Sequence, residues 1–271
     1  GPDFENIDNR LLSLTLVKER MTNAVIFTPE GKNKYPSDIL HKKNILTLRG
    51  SFRPVTKVNI DMLTEGLNKF KKNKKVDENN IQLLLEITLS NLMTNGQVDE
   101  RDFLDRADIL CSLGYTVMIS NYKKYYKLSE YLSRYTNARM GLIIGVDNLV
   151  EMFDEKYYRN LNGGIMEAFG IIVTRDIKIY LYPYQADSSK ELINSKNIPI
   201  HPRGKSIYEY LFNNKRIEDL SYNSEILNIF SRDVLKKIKS SEIGTWEHMV
   251  PDGVAKIIKD KSLFGMSCKI K

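Results

Sequence analysis

Cysteine is scarce in this sequence. Only Cys111 and Cys268 occur in 271 residues, too far apart for any metal-ligand spacing. Cys111 sits inside an apolar run (ADILCSLGY) and reads as a small core hydrophobe. This usage argues against a disulfide framework and points to a reducing compartment, the cytoplasm. Histidine is nearly as rare: His41, His201 and His248 are scattered and suggest neither a triad nor a metal set. No resident metal site is therefore expected. Long apolar runs are missing too, since nothing approaches the ~20 residues that span a bilayer. The first residues lack the charged segment and apolar stretch of a secretory leader. The chain begins Gly1-Pro2 rather than with Met, so residues 1–43 are expected to be a lead-in, the end of an upstream domain.

What remains suits a folded α/β protein: 42% hydrophobic residues, 28% charged and a formal net charge of +7. Much of the excess lies in Lys69 to Lys75 (KFKKNKK), which reads as a solvated loop. No nucleic-acid partner is expected from it. A basic balance also suits small anions such as nucleotides.

Along the chain, Leu11 to Val17 fits a helix or a strand. Ala24 to Phe27 is a short strand closed by the turn Pro29-Glu30-Gly31. From residue 44 a pattern of strand, loop and helix repeats. Ile45 to Leu48 is apolar, Gly50 to Thr56 is a loop, and Ile60, Leu63, Leu67 and Phe70 recur at helical spacing. Ile81 to Leu89, Tyr115 to Ile119, Met140 to Ile144 and Ile177 to Tyr182 are further strands. Helical stretches fall at Asp99 to Leu113 and Lys124 to Tyr135, and the part after Lys205 is mostly helical. Nearly continuous apolar strands alternating with helices predict a parallel sheet covered on both faces, over residues 44–271.

In such sheets ligands bind beyond the carboxyl ends of the strands. The first strand runs into Arg49-Gly50-Ser51-Phe52-Arg53-Pro54-Val55-Thr56-Lys57-Val58-Asn59. Gly50 permits close backbone approach, and the next helix would offer its N-terminus to phosphates. Arg49, Arg53 and Lys57 add positive charge. A plain strand–helix turn with incidental basic residues explains the same segment, so both readings stay open.

This segment resembles the signature of the nucleotidyltransferases that make NAD from ATP and nicotinate or nicotinamide mononucleotide. Their pattern is roughly Gly-Ser/Thr-Phe-x-Pro-hydrophobic-His/Thr-x-x-His, matched here at Gly50, Ser51, Phe52, Pro54, Val55 and Thr56. Four more segments resemble that family in order: LLLEITLSN (83–91), IIGVDNLVEMFDEKYY (143–158), IFSRDVLKKI (229–238) and MVPDGVAKIIKDKSLF (249–264). The resemblance implies a divergent bacterial branch with a Rossmann-like nucleotidyltransferase fold and a helical C-terminal part. It implies Mg²⁺-dependent adenylyl transfer, with ATP and a mononucleotide as partners; the oligomeric state is left open. Gly50, Ser51, Phe52 and Arg53 would cradle the nucleotide. Asp147 would lie near the pocket, although a helix N-cap is the simpler account of that residue. Thr56, Lys57 and Asn59 would carry catalysis, while Ser231, Arg232 and Lys236 would hold phosphates.

Two of these segments depart from the pattern. Asn59 replaces the last histidine and can donate a hydrogen bond but not carry a charge. Losing a charged donor costs roughly 2–4 kcal/mol of transition-state stabilisation. In the fourth segment Asp233 places a carboxylate where phosphates would bind, and Lys236 lacks the fork of an arginine. The alternative expectation is a catalytically inactive module that keeps the fold for nucleotide or protein binding.

Overall fold

A computed structural model describes residues 8–94, 96–185 and 191–266; Cys268 lies outside them. The lead-in contributes helix α1 (Asn9–Lys18), the hairpin β1 (Ala24–Phe27) and β2 (Asn33–Lys34), and the short α2 (Pro36–Leu40). Strand β3 (Asn44–Arg49) feeds α3 (Lys57–Lys71). Strand β4 (Ile81–Thr88) leads through α4 (Leu89–Leu92) and the small hairpin β5 (Met93–Thr94) and β6 (Gln97–Val98) to α5 (Glu100–Ser112). Strand β7 (Thr116–Ser120) precedes α6 (Tyr125–Leu132), and β8 (Met140–Gly145) precedes α7 (Val146–Met152) and α8 (Gly164–Thr174). After β9 (Lys178–Tyr182) come a second hairpin, β10 (Tyr184–Gln185) and β11 (Leu192–Ile193), and then α9 (Pro202–Asn213). The chain closes with β12 (Ile217–Asp219), α10 (Ser231–Lys239) and α11 (Val254–Lys261).

Eight strands form one sheet in the order β12-β9-β8-β3-β4-β7-β1-β2. The six parallel strands, counted in chain order from β3, run 3-2-1-4-5-6 starting at β7. That is the order of a doubly wound, Rossmann-like fold, with its topological switch between β3 and β8. Strand β1 adds an antiparallel edge, pairing Ala24 with Ser120 and Phe27 with Val117, so the lead-in is built into the sheet.

Period-two alternation splits the core between two faces. Leu46, Leu48, Leu85, Ile87, Val117 and Ile119 join one buried cluster with residues of α1, α3, α5, α10 and α11. Ile45, Leu84, Met118, Leu142, Ile144 and Ile179 join the other with residues of α6, α7, α8 and α9. Helix α3 approaches β8 closely because Gly66 has no side chain: a Cβ there would lie 2.3 Å from Ile143 Cδ1.

Three readings of the sequence need amendment. Between Ile144 and Ile177, where the sequence pattern predicts no element, Gly163-Gly164 opens α8. The helical C-terminal part also contains β12, which extends the sheet beside β9. Asp147 does not cap its helix; Gly145 occupies that position and Asp147 lies within the first turn. The tyrosines after β7 pack together, with Tyr131 against Tyr122 and Tyr135.

Candidate functional site

A cleft of about 340 Å³ opens at the carboxyl ends of the central strands, beside the switch point. Arg49 ends β3 and Gly50 and Ser51 follow it, while Thr88 ends β4 and Ser90 and Asn91 follow that strand. Lys123 and Lys124 follow β7, while Asn148 and Glu151 come from α7.

Two buried arginines set the shape of this cleft. Arg49 stands opposite Glu86 in the β3–β4 register and grips it with two bonds, Nε to Oε2 at 2.8 Å and Nη2 to Oε1 at 2.9 Å. Glu86 is fully buried and also accepts from the Ser120 hydroxyl. The guanidinium then donates to the carbonyls of Tyr122 (2.8 Å) and Lys123 (3.1 Å) and lies 4.4 Å from the Tyr125 ring centre. One side chain thus ties together the ends of β3, β4 and β7. Burial works to lower the Arg49 pKa, but the Glu86 charge and hydrogen bonds outweigh it and hold the group above its ordinary value. Burial likewise pushes the Tyr125 phenol up to about 12.

Arg106, on α5 and 1% exposed, performs the second fastening. Its Nη1 donates to the carbonyls of Ser51 (2.9 Å) and Asn91 (2.8 Å), and its Nη2 pairs with Asp102. The carbonyls of Ser51 and Asn91, two residues of the cleft wall, are thereby held toward α5. Lys123 and Lys124 are left as the cations at the cleft mouth. Partial burial, followed by the repulsion of Lys123 and Arg49, outweighs attraction to Glu151 and lowers the Lys124 pKa. Its Nζ sits 3.5 Å from the centre of the Tyr157 ring.

The residues singled out from the sequence divide between wall and support. Gly50 and Ser51 line the cleft. Phe52 is buried, with a left-handed φ of 46°, and its ring tucks beneath Gly50, where a Cβ would come within 2.9 Å. Arg53 turns away to Asp102, 2.6 Å from its Nε. Thr56 is the N-cap of α3 and 1% exposed, and Asn59 Oδ1 accepts from its backbone N–H and its hydroxyl. Lys57 begins α3 and, like Thr56 and Asn59, is outside the cleft lining. Ser231 begins α10 and donates to the Pro54 carbonyl at 2.9 Å, fastening that helix to the first loop. Arg232 stacks over Phe230, and Lys236 is 80% exposed near Asp233. Asp147 is exposed and does not line the cleft, whereas its neighbours Asn148 and Glu151 do.

Sequence reasoning passed over Glu86, Arg106, Ser90, Asn91, Lys123 and Lys124. A signal existed for the lysines, which directly follow a parallel strand. Glu86 was also marked, as a single acid within the buried run IQLLLEITL.

No protein-family model matches this chain. No curated protein matches it either. Among solved structures it is similar to Plasmodium falciparum nicotinic acid mononucleotide adenylyltransferase complexed with NaAD, at 14% identity and a TM-score of 0.49. It is also similar to the same enzyme complexed with APC, at 15% identity and a TM-score of 0.47. Each match covers 83% of this chain and 98% of the other. No residue role is carried over from a likeness at that level; the doubly wound class rests on the strand order itself.

Proposed function

We infer that the cleft binds a nucleotide, and that the chain is a nucleotidyltransferase-like protein transferring an adenylyl group from ATP to nicotinate or nicotinamide mononucleotide. The observation that supports this most is the position of the cleft, at the β3/β8 switch with Gly50 and Ser51 in its wall. The resemblance of the five sequence segments supplies the acceptor class. In this reaction an acceptor phosphate oxygen attacks the α-phosphorus of ATP, its bond to the bridging oxygen breaks, and pyrophosphate leaves. No covalent nucleophile is required, so the protein's work is positioning and charge stabilisation. Lys123 and Lys124 meet phosphate charge, while Ser51 and Ser90 offer hydroxyls. Among the described residues no group of three or more His, Cys, Asp or Glu could hold a metal ion. Mg²⁺ would enter as part of the MgATP substrate, with Glu151 as the carboxylate lining the cleft.

One observation favours a second reading, nucleotide binding without transfer. Thr56 and Asn59, the positions matching the family's catalytic pair, are bonded to each other rather than directed into the cleft. Calorimetric titration with ATP, NMN, nicotinate mononucleotide and NAD, each with Mg²⁺, tests both. A saturable site lost in Ser51→Trp supports the cleft, and pyrophosphate release then separates transfer from binding. Absence of binding by all four overturns the nucleotide reading.

A further inference from the structure

The opposite end of the sheet carries a second, larger cleft of about 620 Å³, framed by seven lysines and arginines against two carboxylates. It lies where β8, β9 and β12 begin and α3 ends. Arg139 precedes β8, Lys178 begins β9, and Lys215 and Arg216 precede β12. The lysine run read from the sequence as a solvated loop forms the other wall, through Lys69, Lys72 and Lys75.

The carboxylates organise this array without neutralising it. Asp176 is shared by Arg139 and Arg216, and Glu218 by Lys69 and Lys178. Lys72, Lys75 and Lys215 are exposed and make no ion pair among the described residues. Helix C-termini attract cations, which accounts for Lys69 and Lys71 in the last turn of α3. It does not account for Arg139 and Lys178 at strand starts, or for Lys75 beyond the helix. Asp176 and Lys215 have φ of 53° and 54°, just past the ends of α8 and α9. Glycine is the residue that adopts this left-handed geometry without cost, yet charged side chains occupy both turns.

From these observations we propose that the basic cleft at the amino ends of β8, β9 and β12 binds the phosphate backbone of a nucleic acid. Neighbouring strands lie about 4.8 Å apart, so the strand-start cations form a row of roughly 10 Å, long enough for successive phosphates on one chain. Tyr180, the ring in this cleft, is 1% exposed and gives no platform for a base. The contact therefore reads backbone charge and not base sequence. This site is independent of the nucleotide cleft at the carboxyl ends.

The test is fluorescence anisotropy with labelled short RNA and DNA duplexes over a range of KCl concentrations. The triple variant Lys72→Gln, Lys75→Gln, Lys215→Gln is expected to bind about tenfold more weakly or worse. Its slope of log K against log salt should flatten by roughly 2–3, the loss of three phosphate contacts. A control triple on the far edge and surface, Lys32→Gln, Lys34→Gln, Lys256→Gln, removes the same charge and should bind like the parent. Melting curves of both triples establish that they fold. Equal losses in the two triples would mean net-charge attraction alone and overturn the proposal. Absence of duplex binding by the parent overturns it as well. Tighter binding of inorganic polyphosphate than of either duplex overturns the nucleic-acid assignment.

Discussion

Asn59 Oδ1 accepts two hydrogen bonds from Thr56, one from the backbone N–H at 3.0 Å and one from the hydroxyl at 3.1 Å. The first turn of α3 is thereby closed on itself. Asn59→Ala is expected to destabilise the protein by about 1 kcal/mol, the usual worth of a capping interaction. Asn59→His releases the Thr56 hydroxyl and adds a chargeable donor. It should lose comparable stability while raising pyrophosphate release from ATP and mononucleotide by on the order of a hundredfold. Urea unfolding and a coupled pyrophosphate assay measure the two effects. An unchanged rate with normal nucleotide binding would favour the binding-only reading.

Removing the charge of Glu86 should be costly. Glu86→Gln leaves Arg49 buried without its counter-ion, and breaking such a pair costs about 3–5 kcal/mol. Because Arg49 also holds the carbonyls of Tyr122 and Lys123, nucleotide affinity should fall along with stability. Denaturant titration followed by calorimetry reads both, and a fully stable variant would show the clamp to be dispensable.

Gly66 lies mid-helix, where alanine is intrinsically better by about 1 kcal/mol. Gly66→Ala is nevertheless expected to cost about 1–3 kcal/mol, since the new methyl meets Ile143 at 2.3 and 2.8 Å. Ile143→Val in the same chain removes the nearer contact and should recover part of the loss. The measurement is a four-member thermal unfolding cycle.

Acid stability should report on Glu247. Burial works to raise its pKa, but Lys259 at 2.6 Å and the N–H groups of Gly244 and Trp246 prevail, lowering it from 4.5 to about 2. A depressed carboxylate contributes stability above its unfolded pKa, and that contribution is lost as pH falls through the folded value. The stability difference between the parent and Glu247→Gln should be constant above pH 4.5 and shrink toward its acid limit near pH 2. A difference independent of pH over that window would contradict the assignment.

The sheet was legible because its strands are buried on both faces and read as continuous apolar runs. Ile81 to Thr88 and Met140 to Gly145 stand out in the residue order alone. Helix α8 does not, because GIMEAFGIIVT is apolar on most sides and shows little periodicity. Strand β12 has three residues, too few for any pattern, and exists through its pairing with β9. At the site, the Gly50–Ser51 turn was visible as a motif. The commitment of Arg49 to Glu86 was not, since it depends on which strand lies alongside β3. Nor was the pairing of Thr56 with Asn59, because residue types do not reveal whom a side chain bonds.

The bond from Ser231 to the Pro54 carbonyl joins positions 177 residues apart. During synthesis at roughly 5–20 residues per second, the first turn therefore waits about 10–35 s for its anchor. Until α10 emerges, Arg106 alone holds the Ser51 end of this turn, and the Pro54 end gains its tie only once residue 231 has been made.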